Sequence, residues 1–211
     1  RTITVGAGAI TQNVQQAASD AGLFYPVDFA SSGSSQIGGN IATNAGGINV
    51  IRYGMTRDWV AGLTVVTGKG EILELNKGLM KNNTGLDFRH LFIGSEGILG
   101  FITEATLKLT SPPKDPTVLV LGLSDMNAIM SVLGSIQSTT PLLAYEFFSE
   151  LAVAKVVEHA GVARPFETRA PFYALVEFEH ENEMTDARIF EAVEKCMEEG
   201  WVVDAVMSQS V

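Results

Sequence analysis

The first half of the chain alternates between short apolar runs and one longer stretch with helical spacing. Apolar residues recur at helical intervals between Ile10 and Ala21 and stop at Gly22, which predicts a helix. A Gly-Lys-Gly turn at residues 68–70 lies between two strand-like runs and predicts a hairpin. Asp87 is expected to cap a short helix through Phe92. Strands are predicted at residues 2–5, 60–67, 71–75 and 101–109.

The second half begins after SPPKDP at residues 111–116, which has three prolines and predicts a linker between two domains. Ser124 and Ser149 are the predicted N-caps of two helices, ending near residues 137 and 159, and a third helix is predicted at 185–199. With the middle helix set aside as an insertion, the order is βαβ–βαβ, a ferredoxin-like antiparallel sheet with helices on one face. Its strands are predicted at residues 118–123, 143–148, 171–179 and 202–207. The predicted fold class is therefore α+β, in two domains at 1–112 and 113–211.

Composition narrows the possible functions. Hydrophobic residues make up 46% and charged residues 18%, which is typical of a packed globular protein. The net charge of −10 argues against nucleic-acid binding, and no apolar run is long enough to span a bilayer. The single cysteine, Cys196, fits a reducing compartment, and the three histidines lack the spacing of metal ligands. Because the chain opens on a strand-like run without Met, we expect it to be a processed chain or an internal fragment.

Candidate chemistry concentrates in residues 31–54, SSGSSQIGGNIATNAGGINVIRYG, which are rich in glycine and almost free of charge. Such a run lets backbone N–H groups approach a flat anionic ligand without intervening side chains. On composition alone, an ordinary glycine-rich loop is an equally good interpretation. The earlier Gly6-Ala7-Gly8 fails the G-x-G-x-x-G dinucleotide pattern because the third position is Thr11, so a tight strand-to-helix turn is the better interpretation.

Residues 26–110 resemble the second half of the FAD domain of the vanillyl-alcohol oxidase/p-cresol methylhydroxylase superfamily. The resemblance is greatest to the branch of D-2-hydroxyglutarate dehydrogenase, D-lactate dehydrogenase and the glycolate oxidase flavin subunit. The matching motifs, in order, are PVDFASSGSSQIGGNIATNAGG, RYG, VAGLTVVTGKGEIL and KNNTGLDFRHLFIGSEGILGFITEATLKL, followed by SPPK. The resemblance implies the second half of a PCMH-type FAD-binding domain at 1–112, then the N-terminal part of a ferredoxin-like substrate or cap domain at 113–211.

The resemblance also implies which residues contact a non-covalent FAD. Two serines would lie near its ribityl or phosphate portion, Tyr53 and Gly54 would close the far side, and Ile102 would make backbone contact. The complete implied set is Ser34, Ser35, Gly38, Gly39, Asn40, Thr43, Asn44, Gly46, Gly47, Tyr53, Gly54, Gly97 and Ile102. No catalytic residue and no metal ligand can be carried over, because the family's substrate-binding cations, its histidine pair and its catalytic histidine match no residue here.

The implied activity of the full-length protein is FAD-dependent oxidation of a D-2-hydroxy acid of the 2-hydroxyglutarate, lactate or glycolate type, by hydride transfer to flavin N5. The expected partners are that small molecule, an unidentified electron acceptor and a second copy of the chain, in the cytoplasm or the mitochondrial matrix. The fragment alone is expected to be inactive and to hold FAD weakly or not at all. One alternative is a non-catalytic split or degenerate flavin-binding subunit or scaffold. A second alternative is an oxidase of the same superfamily acting on a sugar or an aromatic alcohol.

Overall fold

Two compact units divide the chain between Pro112 and Pro113, in a computed structural model that describes residues 1–77, 79, 81–180 and 183–208. Proline donates no backbone hydrogen bond and fixes φ, so neither regular structure nor a sheet ladder passes through this point. Each unit has its own buried apolar cluster. Within the described residues, no helix combines the length and the apolarity needed to cross a bilayer.

Unit 1, Arg1–Pro112, is built on a four-stranded antiparallel sheet with the order β1-β4-β2-β3. Its strands are β1 (Thr2–Gly6), β2 (Val60–Val66), β3 (Ile72–Leu75) and β4 (Phe101–Lys108). Its helices are α1 (Thr11–Asp20), α2 (Ile37–Ala42), α3 (Val50–Tyr53), α4 (Thr56–Trp59) and α5 (Arg89–Phe92). The predicted hairpin is confirmed as β2 and β3.

One face of this sheet is apolar and the other is polar, because successive side chains of a strand point to opposite sides. Buried residues of α1 and α2, such as Val14 and Ile41, share a cluster with Val65 and Leu107 of the sheet. On the opposite face the hydroxyls of Thr4 and Thr106 lie 3.0 Å apart across β1 and β4. Helices α1 and α2 therefore lie on one side of the sheet, and α2 is part of the glycine-rich run.

The glycine-rich run is not the open loop that its composition suggested, since its first glycine pair lies inside α2. Ile37 and Ile41 are four residues apart and fully buried, so burial of one helical stripe compensates for two helix-weakening glycines. The N–H groups of Ile37 and Gly38 donate to the carbonyls of Ala9 and Ala7, at 3.0 and 2.8 Å. The start of α2 is thereby held against the turn that follows β1.

Unit 2, Pro113–Val211, has a second antiparallel sheet with the order β6-β7-β5-β8. Its strands are β5 (Pro116–Leu123), β6 (Leu142–Ser149), β7 (Phe172–Glu179) and β8 (Val202–Met207). Its helices are α6 (Met126–Gln137), α7 (Glu150–Ala160) and α8 (Glu183–Glu198). This strand order is that of a ferredoxin-like sheet, which confirms the predicted α+β class and its split βαβ arrangement.

Helices cover both faces of this second sheet, so the expectation of one covered face is wrong. Helices α6 and α8 pack on the face that carries Leu121 and Val176. On the other face, α7 and the segment after it form a smaller cluster around Tyr173, whose ring stacks on Phe148 and Phe166 with centroids 5.7 and 5.6 Å away. The helix treated as an insertion therefore contributes a core of its own.

Two predicted helix caps differ in detail from those observed. The N-cap of α6 is Asp125, whose carboxylate accepts from the N–H groups of Asn127 and Ala128, whereas Ser124 donates its N–H to Trp201. Ser149 caps α7 as predicted, accepting from Ala152. Asp87 lies one residue before the N-cap of α5, and its carboxylate still accepts the N–H of Arg89.

Candidate functional site

A cleft of about 460 Å³ opens in unit 1 where three separate segments meet. The segments are the turn after β1, the first turns of α2 and the chain that leads into β4. The lining residues are Ala7, Gly8, Gln36, Gly38, Gly39, Ala42, Gly97, Gly100, Phe101, Ile102 and Thr103. Four of the thirteen predicted cofactor contacts therefore lie together in this cleft: Gly38, Gly39, Gly97 and Ile102.

The close approach of two segments in this cleft depends on Gly38. A Cβ at this position would lie 2.7 Å from the Cβ of Ala7 and 3.2 Å from its carbonyl oxygen, which is too short for unbonded atoms. Only glycine therefore lets α2 lie directly against the turn after β1. This contact brings Gly8 and Gly39 to one cleft.

The third segment of the cleft is fixed by the C-terminal end of α2. The last carbonyls of a helix have no partner within the helix. Here Ile41 and Ala42 accept from the N–H groups of Gly94 and Glu96, at 3.0 and 2.8 Å. Gly97 follows with φ +78°, a left-handed conformation that favours glycine, and it faces the cleft. These two hydrogen bonds join the GSEG turn to the glycine-rich run, although the bonded residues are 53 and 54 positions apart in sequence.

Gly8 and Gly39 are glycines that the chain's own packing does not require. Neither has a positive φ, and a Cβ added to either would meet no atom within 4 Å. A glycine within a helix is less stable than alanine by roughly 0.5–1 kcal/mol, so at Gly39 an unneeded glycine has a cost. The missing side chains leave room for something outside the described chain.

Main-chain donors rather than charged side chains define the chemistry of the cleft. The N–H groups of Gly8, Gly39 and Gly97 make no hydrogen bond to any other described residue. None of the lining residues is ionisable. An anionic group here would be met by oriented backbone dipoles, which is the arrangement that suits a phosphate in an acidic protein. Among the described residues, no group of three or more His, Cys, Asp or Glu could hold a metal ion.

Nine predicted contacts do not line this cleft, and several have a clear role within the chain. They are Ser34, Ser35, Asn40, Thr43, Asn44, Gly46, Gly47, Tyr53 and Gly54. Asn40 is buried and donates to the hydroxyl of Thr11 at 2.7 Å, and that hydroxyl lies 2.8 Å from the hydroxyl of Ser35. These three side chains connect α2 to the start of α1.

Other residues of this group support the chain around the cleft. A Cβ at Gly47 would lie 1.9 Å from the carbonyl oxygen of Asp28, so this glycine is required by a backbone crossing. The ring of Tyr53 makes edge contacts with Phe24 and Trp59, at centroid distances of 5.7 and 6.2 Å. Gly54 has φ +75° and ends α3. That these residues also contact a cofactor stays a prediction.

The cleft also contains residues that sequence reasoning missed. They are Ala7, Gly8, Gln36, Ala42, Gly100, Phe101 and Thr103. Gly6-Ala7-Gly8 was set aside because it fails a spacing rule for a different fold, although its glycines were a visible signal. Phe101 is 73% exposed at the start of a strand that was predicted from its apolar alternation, which gave no reason to expect an outward-facing aromatic ring.

Comparison with known proteins agrees with this geometry. A family model described as "FAD binding domain" matches residues 1–76, and one described as "FAD linked oxidases, C-terminal domain" matches residues 112–210. A solved structure of alkyldihydroxyacetonephosphate synthase superposes with a TM-score of 0.74 at 22% identity, over 100% of this chain and 40% of that one. The class of protein is thus one in which an FAD-binding domain precedes an FAD-linked oxidase C-terminal domain. The chain belongs to the FAD-linked oxidases of the vanillyl-alcohol oxidase/p-cresol methylhydroxylase superfamily.

Two curated relatives from bacteria are more similar in sequence. A D-2-hydroxyglutarate dehydrogenase of Stutzerimonas stutzeri is 59% identical over 210 residues, which are 100% of this chain and 45% of that protein. A D-2-hydroxyglutarate dehydrogenase of Xanthomonas citri pv. viticola is 53% identical, over 100% of this chain and 44% of that protein. The chain therefore spans less than half the length of these relatives.

Proposed function

We propose that the full-length protein is an FAD-dependent dehydrogenase of a D-2-hydroxy acid, and that 2-hydroxyglutarate is its first candidate substrate. The observation that supports this most is the cleft, where unneeded glycines and unpaired N–H groups lie together. The 59% identity to a D-2-hydroxyglutarate dehydrogenase selects this substrate among the hydroxy acids.

The residues of the cleft fit a non-covalent FAD. Gly8, Gly39 and Gly97 would donate backbone N–H groups to its phosphate oxygens, and Phe101 would shield an aromatic portion from water. When bound, FAD accepts a hydride from C2 of the hydroxy acid. The part of the chain described here would bind and orient the cofactor. We assign none of its residues to the chemistry at the substrate.

The domain roles follow from the same proposal. Residues 1–112 would be the C-terminal half of the FAD-binding domain, and residues 113–211 the N-terminal part of the substrate or cap domain. The separate buried clusters of the two units support this division.

The test uses the full-length protein purified without added cofactor. A flavin absorption spectrum with peaks near 370 and 450 nm that persists through gel filtration is the expected result, and anaerobic D-2-hydroxyglutarate should bleach the longer-wavelength band. L-2-hydroxyglutarate is the matched control and should leave the band unchanged. A protein without flavin would refute the cofactor assignment. A flavoprotein that is bleached only by D-lactate, glycolate, a sugar or an aromatic alcohol would refute the substrate assignment.

A second candidate is a non-catalytic flavin-binding subunit or scaffold. The cleft supports it as well, because its unpaired backbone donors account for cofactor binding and involve no substrate. A full-length protein that retains flavin but is bleached by none of these donors is the result that this candidate predicts.

The proposed partners are the hydroxy acid, an electron acceptor and a second copy of the chain, in the cytoplasm or the mitochondrial matrix. Self-association is supported by exposed apolar side chains around the cleft-forming turn, which tend to be covered by another surface. These are Leu86, Phe88, Leu91, Ile98 and Leu99. The single cysteine of the chain, Cys196, is buried and fits a reducing compartment. Sedimentation of the full-length protein should show a dimer or higher oligomer, and a strict monomer would contradict this.

A further inference from the structure

We infer that Arg57 and His90 form a latch that positions the GSEG turn, and that protonation of His90 opens it. The consequence for flavin binding rests on the proposed function, whereas the consequence for the turn does not. Arg57 is a positioning residue in this account, since it does not line the cleft.

Arg57 contacts both motifs that build the cleft. Its backbone N–H donates to the side-chain oxygen of Asn44 at 2.9 Å, at the end of the glycine-rich helix. Its guanidinium donates through Nη2 to the carbonyl of Ile93 at 2.6 Å. Nη1 lies 2.8 Å from Nδ1 of His90 and donates to the His90 carbonyl at 3.2 Å. A single residue thus connects the first wall of the cleft, through its backbone, to the approach to the second, through its side chain.

The hydrogen bond from Arg57 to Ile93 affects the cleft because the residues that follow Ile93 are bonded to α2. The next residue, Gly94, donates its N–H to Ile41, and Glu96 donates to Ala42. Loss of Arg57 would leave the carbonyl of Ile93 without this partner and release the chain just before these two hydrogen bonds. Gly97, which lines the cleft, would then no longer be held in place.

The latch depends on the protonation of His90 because a guanidinium can only donate. Nδ1 of His90 must therefore be the acceptor, which requires a neutral ring with its proton on Nε2. A protonated ring would direct a second N–H and a positive charge at Arg57. Protonation of the ring should therefore open the latch.

Charged groups of both signs surround His90. Arg57, Arg89 and Lys108 line a shallow cleft of about 310 Å³ with His90, and Asp58 is the one acid among its lining residues. Asp87 also faces the ring, with its Oδ2 3.4 Å from Nε2. The same carboxylate is already paired with Arg89, which limits what it offers to an imidazolium. His90 is about half exposed, so water can supply the proton.

The first test measures FAD dissociation constants of the full-length protein between pH 5 and 8. Wild-type affinity should fall about tenfold towards pH 5, the equivalent of one charge-assisted hydrogen bond. His90→Asn supplies an oxygen acceptor that does not titrate, so it should keep the pH 8 affinity and lose the pH dependence. Arg57→Gln should bind about tenfold more weakly at every pH, and Lys69→Gln at the exposed hairpin turn is the control for lost charge. An unchanged pH slope in His90→Asn, or wild-type affinity in Arg57→Gln, would overturn the latch.

The second test needs no flavin and separates the latch from the proposed function. Amide hydrogen exchange of a peptide covering residues 94–97 should be faster in Arg57→Gln than in Lys69→Gln at equal pH. His90→Asn should match the control. If the wild-type protein binds no FAD, the proposed function fails and exchange alone decides the latch. Equal exchange rates in all variants would refute the latch. If Arg57→Gln does not fold, the pH dependence of FAD affinity in His90→Asn decides instead.

Discussion

Glycines of one short run have three physically different causes in this protein. Gly38 and Gly47 are required because another backbone passes too close for a Cβ. Gly54 and the more distant Gly97 are required by a positive φ. Gly39 has neither reason, so packing within the described chain does not require its missing side chain. The sequence alone cannot separate these causes, because the residue is glycine in every case.

Gly39→Ala should therefore separate stability from binding. The added methyl group removes the entropic cost of a helical glycine, so the free energy of unfolding should rise by about 0.5 kcal/mol or stay unchanged. FAD affinity of the full-length protein should fall at least tenfold, because the methyl group projects into the cleft. Chemical denaturation and flavin titration measure the two effects. Gly134→Ala, in α6 with no atom near its Cβ, should stabilise similarly and leave flavin affinity unchanged. A Gly39→Ala protein with wild-type affinity would show that the methyl group meets no ligand.

At the scale of elements, the sequence predicted strands more reliably than helix ends. The alternation of Phe101–Lys108 and the hairpin around Gly68-Lys69-Gly70 are strong local signals, and both were found. Helix α2 was missed because its two glycines have low helix propensity and its apolar face is only two residues long. Burial of Ile37 and Ile41 outweighs that low propensity. The N-cap of α6 is one residue later than predicted. Ser124 and Asp125 are both good N-caps, and only the hydrogen bond from the Ser124 N–H to Trp201 selects between them.

This pair of adjacent candidates allows a matched test of the cap. Asp125→Ala should lower the free energy of unfolding by about 1 kcal/mol, since the N–H groups of Asn127 and Ala128 lose their acceptor. Ser124→Ala keeps the backbone bond to Trp201 and should change stability by no more than about 0.5 kcal/mol. Urea denaturation of both variants measures the difference, and equal losses would contradict the assignment of Asp125.

The start of α7 provides a pH-dependent element. The Arg164 guanidinium, with a further hydrogen bond from Tyr173, lowers the pKa of Glu150 to about 2. A carboxyl whose pKa is depressed in the folded state contributes stability above its unfolded pKa, about 4.3, and loses it as the pH falls towards 2. This contact secures the segment that follows α7 over the sheet.

Glu150→Gln should consequently flatten the pH dependence of stability. Below about pH 4.5, wild-type stability should fall as Glu150 becomes protonated, and the variant should lose this part of the slope. Thermal unfolding at intervals between pH 2.5 and 6 measures it. Glu158→Gln is the control on the same helix, because Glu158 forms a solvent-exposed ion pair with Lys155. An identical slope in Glu150→Gln and wild type would show that the contact with Arg164 does not contribute to folding.

At the scale of the whole molecule, the two units are separate in their cores as well as in their sheets. The large cluster of unit 2 contains Leu121, Val132 and Phe178, and it includes no residue of unit 1. We therefore expect residues 113–211 to fold when expressed alone. Far-UV circular dichroism with a single cooperative melting transition is the expected result. A spectrum of an unfolded chain would contradict it. Leu121→Ala in the same domain should lower the free energy of unfolding by about 2–5 kcal/mol.

The donors of the proposed flavin cleft belong to the main chain, which affects how the site can change during evolution and how it can be studied. A substitution other than proline alters a side chain but leaves the peptide N–H in place, so alanine scanning does not detect the groups that would hold the phosphates. Replacement of single peptide bonds by esters at Gly8, Gly39 or Gly97 would remove one donor at a time. For the same reason, lining residues other than the glycines can change in sequence as long as the path of the backbone is kept. A binding site of this kind is preserved by the path of the backbone more than by the identity of the residues along it.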